Sequence, residues 1–331
     1  MTERDIDVLG IGNAIVDVLA ESDDDFLTTH NLVKGSMTII NHTEAENIYN
    51  LIKPGIRASG GSAANTLASL ASLDIRCGFI GKVSDDELGN FFTEDIKSAG
   101  VIFDPKFDSK SAPTARCLIS VTPDAERTMQ TFLGACVDLS PNDINEKFIS
   151  QAKILYLEGY LFDPPEAQNA FKKAAKISKQ NDGRVALSLS DSFCVGRHRE
   201  AFLDFIREYV SILFANEDEI KSLYQVDEFE SAAKKALIDC EIAVLTRGSK
   251  GSVVIAEGEY HKLKPETVQN VIDTTGAGDA YAAGFLFGLI QGKPLDACGH
   301  LGGVIAGEII SNYGARSKKD LNAIVQESEI F

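Results

Sequence analysis

The run Asp273-Thr-Thr-Gly-Ala-Gly-Asp279, followed at once by Ala-Tyr-Ala-Ala-Gly-Phe, holds the residue types best suited to chemistry. Gly276, Ala277 and Gly278 carry almost no side chain, so the backbone there can come very close to a ligand. A helix that begins at this point presents free amides and about half a positive charge to whatever lies before it. That arrangement binds an anion, most often a phosphate. A bound phosphate would repel a carboxylate, so an acid at Asp279 suggests work on a proton or a metal during phosphoryl transfer. The same run also reads as an Asp that caps helix amides and does nothing more.

Three other segments carry related chemistry. Gly60-Gly61-Ser62-Ala-Ala-Asn65 offers backbone amides and one amide side chain, a set suited to the hydroxyls of a polyol or a ribose. Asn216-Glu-Asp-Glu219 follows the end of a predicted strand, where ligands bind in open α/β sheets. Thr246-Arg-Gly248-Ser249-Lys-Gly251 is a glycine turn after a strand, with a hydroxyl and two cations for phosphate oxygens. Each alone is explained as an ordinary turn. Four such segments in this order, each at a strand end, match what a small-molecule kinase needs.

The elements that must position them follow from hydrophobic periodicity. Residues 6–12 read as a buried strand running into a glycine turn. Gly10-Ile-Gly12 lacks the third glycine of a dinucleotide fingerprint, which weakens any oxidoreductase reading. A strand at 36–40 is followed by a helix whose capping-box pattern starts at Thr43. Further strands are expected at 154–157, 185–189, 211–215, 243–246 and 251–256. Helices are expected at 165–180 and from about residues 199, 217, 278 and 295. Between 115 and 131 the pattern changes to a hairpin around Thr122-Pro-Asp-Ala-Glu.

Strands alternating with helices predict an α/β fold: a doubly wound, mostly parallel sheet with helices on both faces. The β-rich pieces that break the rhythm predict a small β-sheet lid. The boundaries are 1–13, 45–109 and 132–331 for the large domain, and 14–44 with 110–131 for the lid. No internal repeat, low-complexity tract or Pro/Gly/Ser linker is visible. Exposed lid edges leave two expectations open, a monomer or a homodimer paired through the lids.

Of the 331 residues 44% are hydrophobic, ample for a core, and no stretch reaches the length of a membrane span. The net charge of −17 argues against nucleic acid as a partner. Small phosphorylated ligands need only a local positive site and are not excluded. Six scattered Cys without a C-x-x-C pair make disulfides and zinc poor expectations. The charged first residues lack an apolar signal core, so the expected location is cytoplasmic.

At the four segments the chain resembles the ribokinase/PfkB family of carbohydrate and nucleoside kinases. The resemblance covers essentially its whole length and is strongest at Asp273–Asp279. It implies that Asp279 is the base for the acceptor hydroxyl and that Gly276, Ala277 and Gly278 form an anion hole. Asn216 and Glu219 match an N-x-x-E element that arranges Mg²⁺ and the nucleotide phosphates. Thr246, Gly248, Ser249 and Gly251 match a nucleotide-binding turn for ATP. Asn13, Asp17, Gly60, Gly61, Ser62 and Asn65 fall at the acceptor-binding positions. Asp273 and Thr275 match positions where some members hold a monovalent cation, with K⁺ the candidate.

Within the family, details resemble the adenosine kinases. Ser62 stands where ribose-specific members usually carry Lys, which leaves room for a base on the sugar. The stretch Glu126-Arg-Thr-Met-Gln-Thr-Phe-Leu-Gly-Ala-Cys resembles the lid side of adenosine kinases, with Arg127 facing the phosphates on closure. Phe132, Leu133 and Phe162 would pack on a purine or serve simply as core. Glu158 would contact the acceptor or have no role, and Asp191-Ser-Phe departs from the pattern of animal adenosine kinases. The expected reaction is transfer from ATP to the 5′-hydroxyl of adenosine. The alternative is a sugar kinase for ribose, fructose or 2-keto-3-deoxygluconate; a silent ligand-binding protein is disfavoured by the intact Asp279.

Overall fold

The computed structural model describes residues 4–52, 55–105, 112–124 and 126–328. Within it the period-two strands assemble into a nine-stranded sheet. In spatial order these are Glu259–Leu263, Ser252–Ala256, Ile242–Thr246, Ile212–Asn216, Arg184–Ser188, Ala152–Glu158, Ile6–Ile11, Cys77–Ile80 and Val101–Phe103. All neighbours are parallel except the two pairs made by Ser252–Ala256. The edge strand Glu259–Leu263 has no counterpart among the expected elements. Its turn is Glu257-Gly258 and its residues are mostly exposed and polar.

Alternate side chains of each strand enter opposite layers. Ile154 and Tyr156 join a core with helices Ser62–Ala71, Ala277–Ile290 and Leu295–Ile310. Leu155 and Leu157 join the other, with helices Pro165–Gln180, Ser192–Tyr209 and Phe229–Asp239. Helix Ala277–Ile290 buries every residue from Ala280 to Gly288. Being apolar on all sides from Ala280 on, it is an interior helix whose first residues, Ala277 to Asp279, reach the open crevice. Asn13, Glu158, Asn216 and Thr246 all lie at or just beyond the carboxyl ends of parallel strands, which makes that edge the crevice of the sheet.

The lid is a five-stranded sheet in the order Met37–Ile39, Arg127–Phe132, Ala115–Val121, Ile15–Glu21 and Ile56–Gly60. The hairpin of Ala115–Val121 and Arg127–Phe132 forms as expected. The lid boundary at residue 44 needs correction, because Ile56–Gly60 pairs antiparallel with Ile15–Glu21, Asp17 opposite Ala58. Ile56-Arg-Ala-Ser-Gly has too little alternation to announce a strand, and pairing with a lid neighbour creates it. Residues 106–111, around the expected start of the second lid segment, and Ala125 in its turn lie outside the described residues.

Two helix starts also differ. Asn41, not Thr43, caps helix His42–Leu51, in a capping box with Glu44. The helix expected from residue 199 begins at Ser192, capped by Asp191, and is kinked at His198. Among the described residues no helix is long and apolar enough to cross a membrane.

Candidate active site

Gly61 has φ +99°, and a Cβ on it would lie 2.1 Å from the Asn13 carbonyl oxygen. Only glycine lets the chain turn into helix Ser62–Ala71 at that point. The turn delivers two side chains to the start of helix Ala277–Ile290. Ser62 Oγ donates to Asp279 Oδ1 at 2.6 Å, and Asn65 Nδ2 donates to Oδ2 at 3.3 Å. Thr66 Oγ1 donates to the Asp279 carbonyl at 3.2 Å. The orientation of Asp279 is therefore set by the residues that follow the Gly60–Gly61 turn, which the resemblance assigns to the acceptor.

Burial lifts Asp279 to about 6, against the lowering effect of the Ser62 and Asn65 bonds. A base in that range is stronger than a surface carboxylate and still mostly ionised at neutral pH. Only the ionised form takes a proton, so kcat/KM should fall as pH drops through about 6. Ser62→Ala removes a bond that lowers the Asp279 value, so it should move this acid limb to higher pH. A pH–rate profile unchanged in Ser62→Ala would detach the limb from Asp279.

Glu158 is 1% exposed; its Oε1 accepts from Asn13 Nδ2 at 2.7 Å and its Oε2 from the Ala63 amide at 2.9 Å. Burial raises it to about 7, partly offset by those two donors. A Cβ on Gly12 would lie 2.4 Å from Glu158 Oε2, so the second glycine of Gly10-Ile-Gly12 makes room for this carboxylate. Asp17 lies over Gly60, where a Cβ would be 2.4 Å from Oδ2. Burial raises Asp17 to about 6 against the pull of Arg127 and Arg316. Asn13, Asp17, Gly60, Gly61, Ser62, Asn65, Glu158 and Asp279 thus share one end of the crevice.

Gly276 adopts φ +75°, and a Cβ on it would lie 2.6 Å from the Ala315 Cβ. The helix it opens has no side-chain cap, and the amides of Gly278 and Asp279 lack intrahelical acceptors. A Cβ on Gly278 would meet nothing within 4 Å, so the space beside those amides is open. Open amides at a helix start suit an anion such as a phosphoryl group. Arg127 reaches this loop from the lid, its Nη1 donating to Asp273 Oδ2 and to Thr275 Oγ1, each at 2.6 Å.

The Gly314 and Thr275 amides also donate to Asp273, at 2.8 and 3.0 Å. Burial alone would raise Asp273, but these amides and the Arg127 charge hold it below the usual carboxylate range. Where the resemblance implies a monovalent cation at Asp273 and Thr275, the structure has a guanidinium.

On the nucleotide side, Asn216 and Glu219 close a capping box. Asn216 Oδ1 accepts from the Glu219 amide at 2.8 Å, and Glu219 Oε2 and Oε1 accept from the Asn216 amide and Nδ2 at 2.9 and 2.7 Å. Burial, with the charges of Asp191, Asp218 and Asp279, raises Glu219 to about 7. Among the described residues no three His, Cys, Asp or Glu side chains are grouped so as to hold a metal by themselves. This acidic surrounding fits Mg²⁺ brought in on nucleotide phosphates, with Asn216 and Glu219 the residues that would hold it.

Thr246 ends its strand opposite Asn216, and Gly248, Ser249 and Gly251 form the turn beyond it. The two cations of this turn are not free for phosphate. Arg247 stacks on Phe229 at 3.9 Å and pairs with Glu217 at 3.0 Å, and Lys250 pairs with Glu217 at 3.3 Å. What the turn offers a nucleotide is hydroxyls and backbone.

Phe162 is a correction. It is 1% exposed and stacks on Phe202 at 3.8 Å, inside the core. Tyr160, two residues earlier, is 40% exposed, and desolvation with the charges of Asp191, Glu158, Asp279 and Glu219 pushes its hydroxyl up, so it is the aromatic of this turn that an acceptor could meet. Phe162→Ala should cost about 3–5 kcal/mol of stability and leave acceptor KM unchanged. Tyr160→Ala should raise acceptor KM with little change in Tm; the opposite pattern would restore Phe162 to the site. Leu133 is half-buried at the entry to the turn Gly134–Asp138. Phe132 packs near His42 and Arg116 within the lid.

Such a crevice moves a phosphoryl group to a hydroxyl, and the class it defines is the phosphotransferases with an alcohol acceptor. The chain belongs to the pfkB family of carbohydrate kinases, whose model matches residues 30–321. Kinases of this family use ATP, typically with Mg²⁺. Among solved structures, the adenosine kinase from Sinorhizobium meliloti is 45% identical with a TM-score of 0.90, over 98% of this chain and 99% of that one. A probable sugar kinase from Rhizobium etli CFN 42 is 42% identical with a TM-score of 0.91, over 99% and 100%. A curated relative, the 5-dehydro-2-deoxygluconokinase of Halalkalibacterium halodurans, is 24% identical over 99% of this chain and 97% of its own.

Proposed function

We propose that the protein transfers the γ-phosphoryl group of ATP to the primary hydroxyl of an uncharged sugar unit. The acceptor is either a free sugar or adenosine, through its 5′-hydroxyl. The observation that carries this reading is the charge of the acceptor end. It is lined by Asp17, Glu158 and Asp279; of the two cations whose charge reaches Asp17, Arg316 is engaged by Asp95, and Arg127 lies at the phosphoryl side, on Asp273 and Thr275. Hydroxyls donate to carboxylates, whereas an acid sugar would bring a further negative charge among them.

The family description, the curated 5-dehydro-2-deoxygluconokinases and the Rhizobium protein support a sugar acceptor over adenosine. A gluconate carries a carboxylate, so those curated names support the sugar class and not its neutrality, which rests on the charge argument alone. Adenosine is supported by the Sinorhizobium protein, by the small Ser62 and by the half-open Tyr160.

In the reaction, Asp279 accepts a hydrogen bond from the acceptor hydroxyl and aims it at the γ-phosphorus. A bond forms from that oxygen to phosphorus as the bond to the ADP oxygen breaks, and the hydroxyl proton passes to Asp279. Because the transition state is loose, orientation by Ser62 and Asn65 matters as much as basicity. Charge on the phosphoryl oxygens is met by the amides at the start of helix Ala277–Ile290 and by Arg127, which exchanges Asp273 for the incoming anion. Bound Mg²⁺ supplies neutralisation of the nucleotide phosphates. Closure of the lid keeps water from taking the place of the acceptor.

The test is initial rates of ATP-dependent phosphorylation of adenosine, other nucleosides, ribose, fructose and 2-keto-3-deoxygluconate, with Mg²⁺ and with or without K⁺. Preference for a neutral sugar or for adenosine is the expected result and selects between them. Preference for the acid sugar would overturn the charge argument.

A further inference from the structure

Three consecutive residues beyond helix Leu295–Ile310 touch both halves of the reacting pair. Gly314 donates its amide to Asp273 Oδ2 at 2.8 Å, at the start of the phosphoryl-binding loop. Ala315 lies against Gly276, close enough that a Cβ there would be 2.6 Å away. Arg316 turns the other way, to the lid. Its Nη2 donates to the Ser59 carbonyl at 2.7 Å and to Ser59 Oγ at 2.5 Å, and its Nη1 donates to Asp95 Oδ2 at 3.0 Å. Asp95 in turn accepts from the Ser59 amide at 2.9 Å and from Ser59 Oγ at 2.5 Å. Ser59 is 1% exposed and stands immediately before Gly60, Gly61 and Ser62.

We infer that Arg316 is a positioning residue that sets the register between the acceptor turn and the phosphoryl-binding loop. Its planar guanidinium reaches two partners at fixed angles, which an ammonium on a flexible stem does not. Its backbone is one peptide unit from Ala315, and peptide units are rigid. Displacement of Ser59 therefore displaces Ala315 and, with it, Gly276. The charge of Arg316, after that of Arg127, also opposes the burial penalty on Asp17, so the same side chain favours the ionised form of that carboxylate. Arg316 touches neither substrate in this scheme; it acts through Ser59 and Ala315.

The inference rests on the phosphotransferase reading above. Its test compares wild type with Arg316→Met and Arg316→Lys on the acceptor that wild type prefers, and measures transfer, ATP consumption and binding of each substrate alone. In Arg316→Met, kcat should fall about 10–100-fold, the scale of a misplacement of about an ångström between reacting groups. The ratio of ADP formed to phosphorylated acceptor should rise, because water competes with a misaligned hydroxyl. Binding of either substrate alone should change far less. Arg316→Lys, with its charge intact, should recover part of the coupling. A purely structural role would lower Tm and leave that ratio at the wild-type value.

A folded Arg316→Met with wild-type kcat and coupling overturns the inference. If that variant does not fold, Ser59→Ala removes one bond to the guanidinium at lower cost. It should then raise the ADP-to-product ratio, and wild-type coupling in it is the overturning result. Failure of the functional reading shows itself separately, in the wild-type arm, as transfer to no acceptor, and overturns both.

Discussion

Replacing Asp279 by Asn should lower kcat about 10²–10⁴-fold, a barrier increase of about 3–5 kcal/mol. The variant keeps the size of the side chain and an oxygen for the Ser62 hydroxyl, so the lost property is the capacity to take a proton. Stability should move the other way. The value of about 6 for Asp279 in the folded protein exceeds the ordinary carboxylate value of about 3.9. The folded form therefore binds this proton more tightly than the unfolded chain does. Stability declines as pH rises between those two values and stays at the lower level above them. Asn bears no such penalty, so Tm at pH 7.5 should equal or exceed that of wild type. Steady-state rates and a thermal melt on the same preparation check both expectations. A well-folded variant with normal turnover would remove Asp279 from the chemistry.

Arg127→Ala should lower kcat about 10²–10³-fold, the usual effect of losing one preorganised donor to a developing charge. Acceptor KM should change less than kcat, because no hydrogen bond of Arg127 goes to the acceptor turn and only its charge acts there, on Asp17. The variant should also lose stability, since Asp273, 8% exposed, would be left with only the Gly314 and Thr275 donors. With those amides still in place, about 1–3 kcal/mol is expected, readable by urea denaturation. Arg127→Lys should restore part of both losses. If turnover survived the Ala substitution, the Arg127–Asp273 pair would be structural and the loop would work without it.

Much of this was legible from local pattern. Alternating strands and helices foretold the parallel sheet, and the glycine-spaced segments do lie together at the carboxyl ends of its strands. Local pattern could not reveal commitments between distant residues. Arg127 and Asp273 are 146 positions apart, and nothing near either one marks the partner. Glu217 takes both Arg247 and Lys250, so cations that looked ready for phosphate are already occupied. In Gly159-Tyr-Leu-Phe162 the sequence reading falls on Phe162; the short turn after strand Ala152–Glu158 leaves Tyr160 exposed and buries Phe162. Ile56–Gly60 is a strand only because Ile15–Glu21 lies beside it. Arg316, in the unremarkable run Asn-Tyr-Gly-Ala-Arg, acquires its partners from the lid and from helix Glu87–Ser98.

The central claim is that the γ-phosphoryl group of ATP ends on the primary hydroxyl of a neutral sugar unit. Phosphorus–proton correlation NMR of the isolated product tests it most directly, together with a count of ADP released. The account predicts phosphorus coupled to the protons of a CH₂–O carbon and one ADP for each product molecule. Phosphorus found on a secondary hydroxyl, or recovered as inorganic phosphate with the acceptor unchanged, would contradict it.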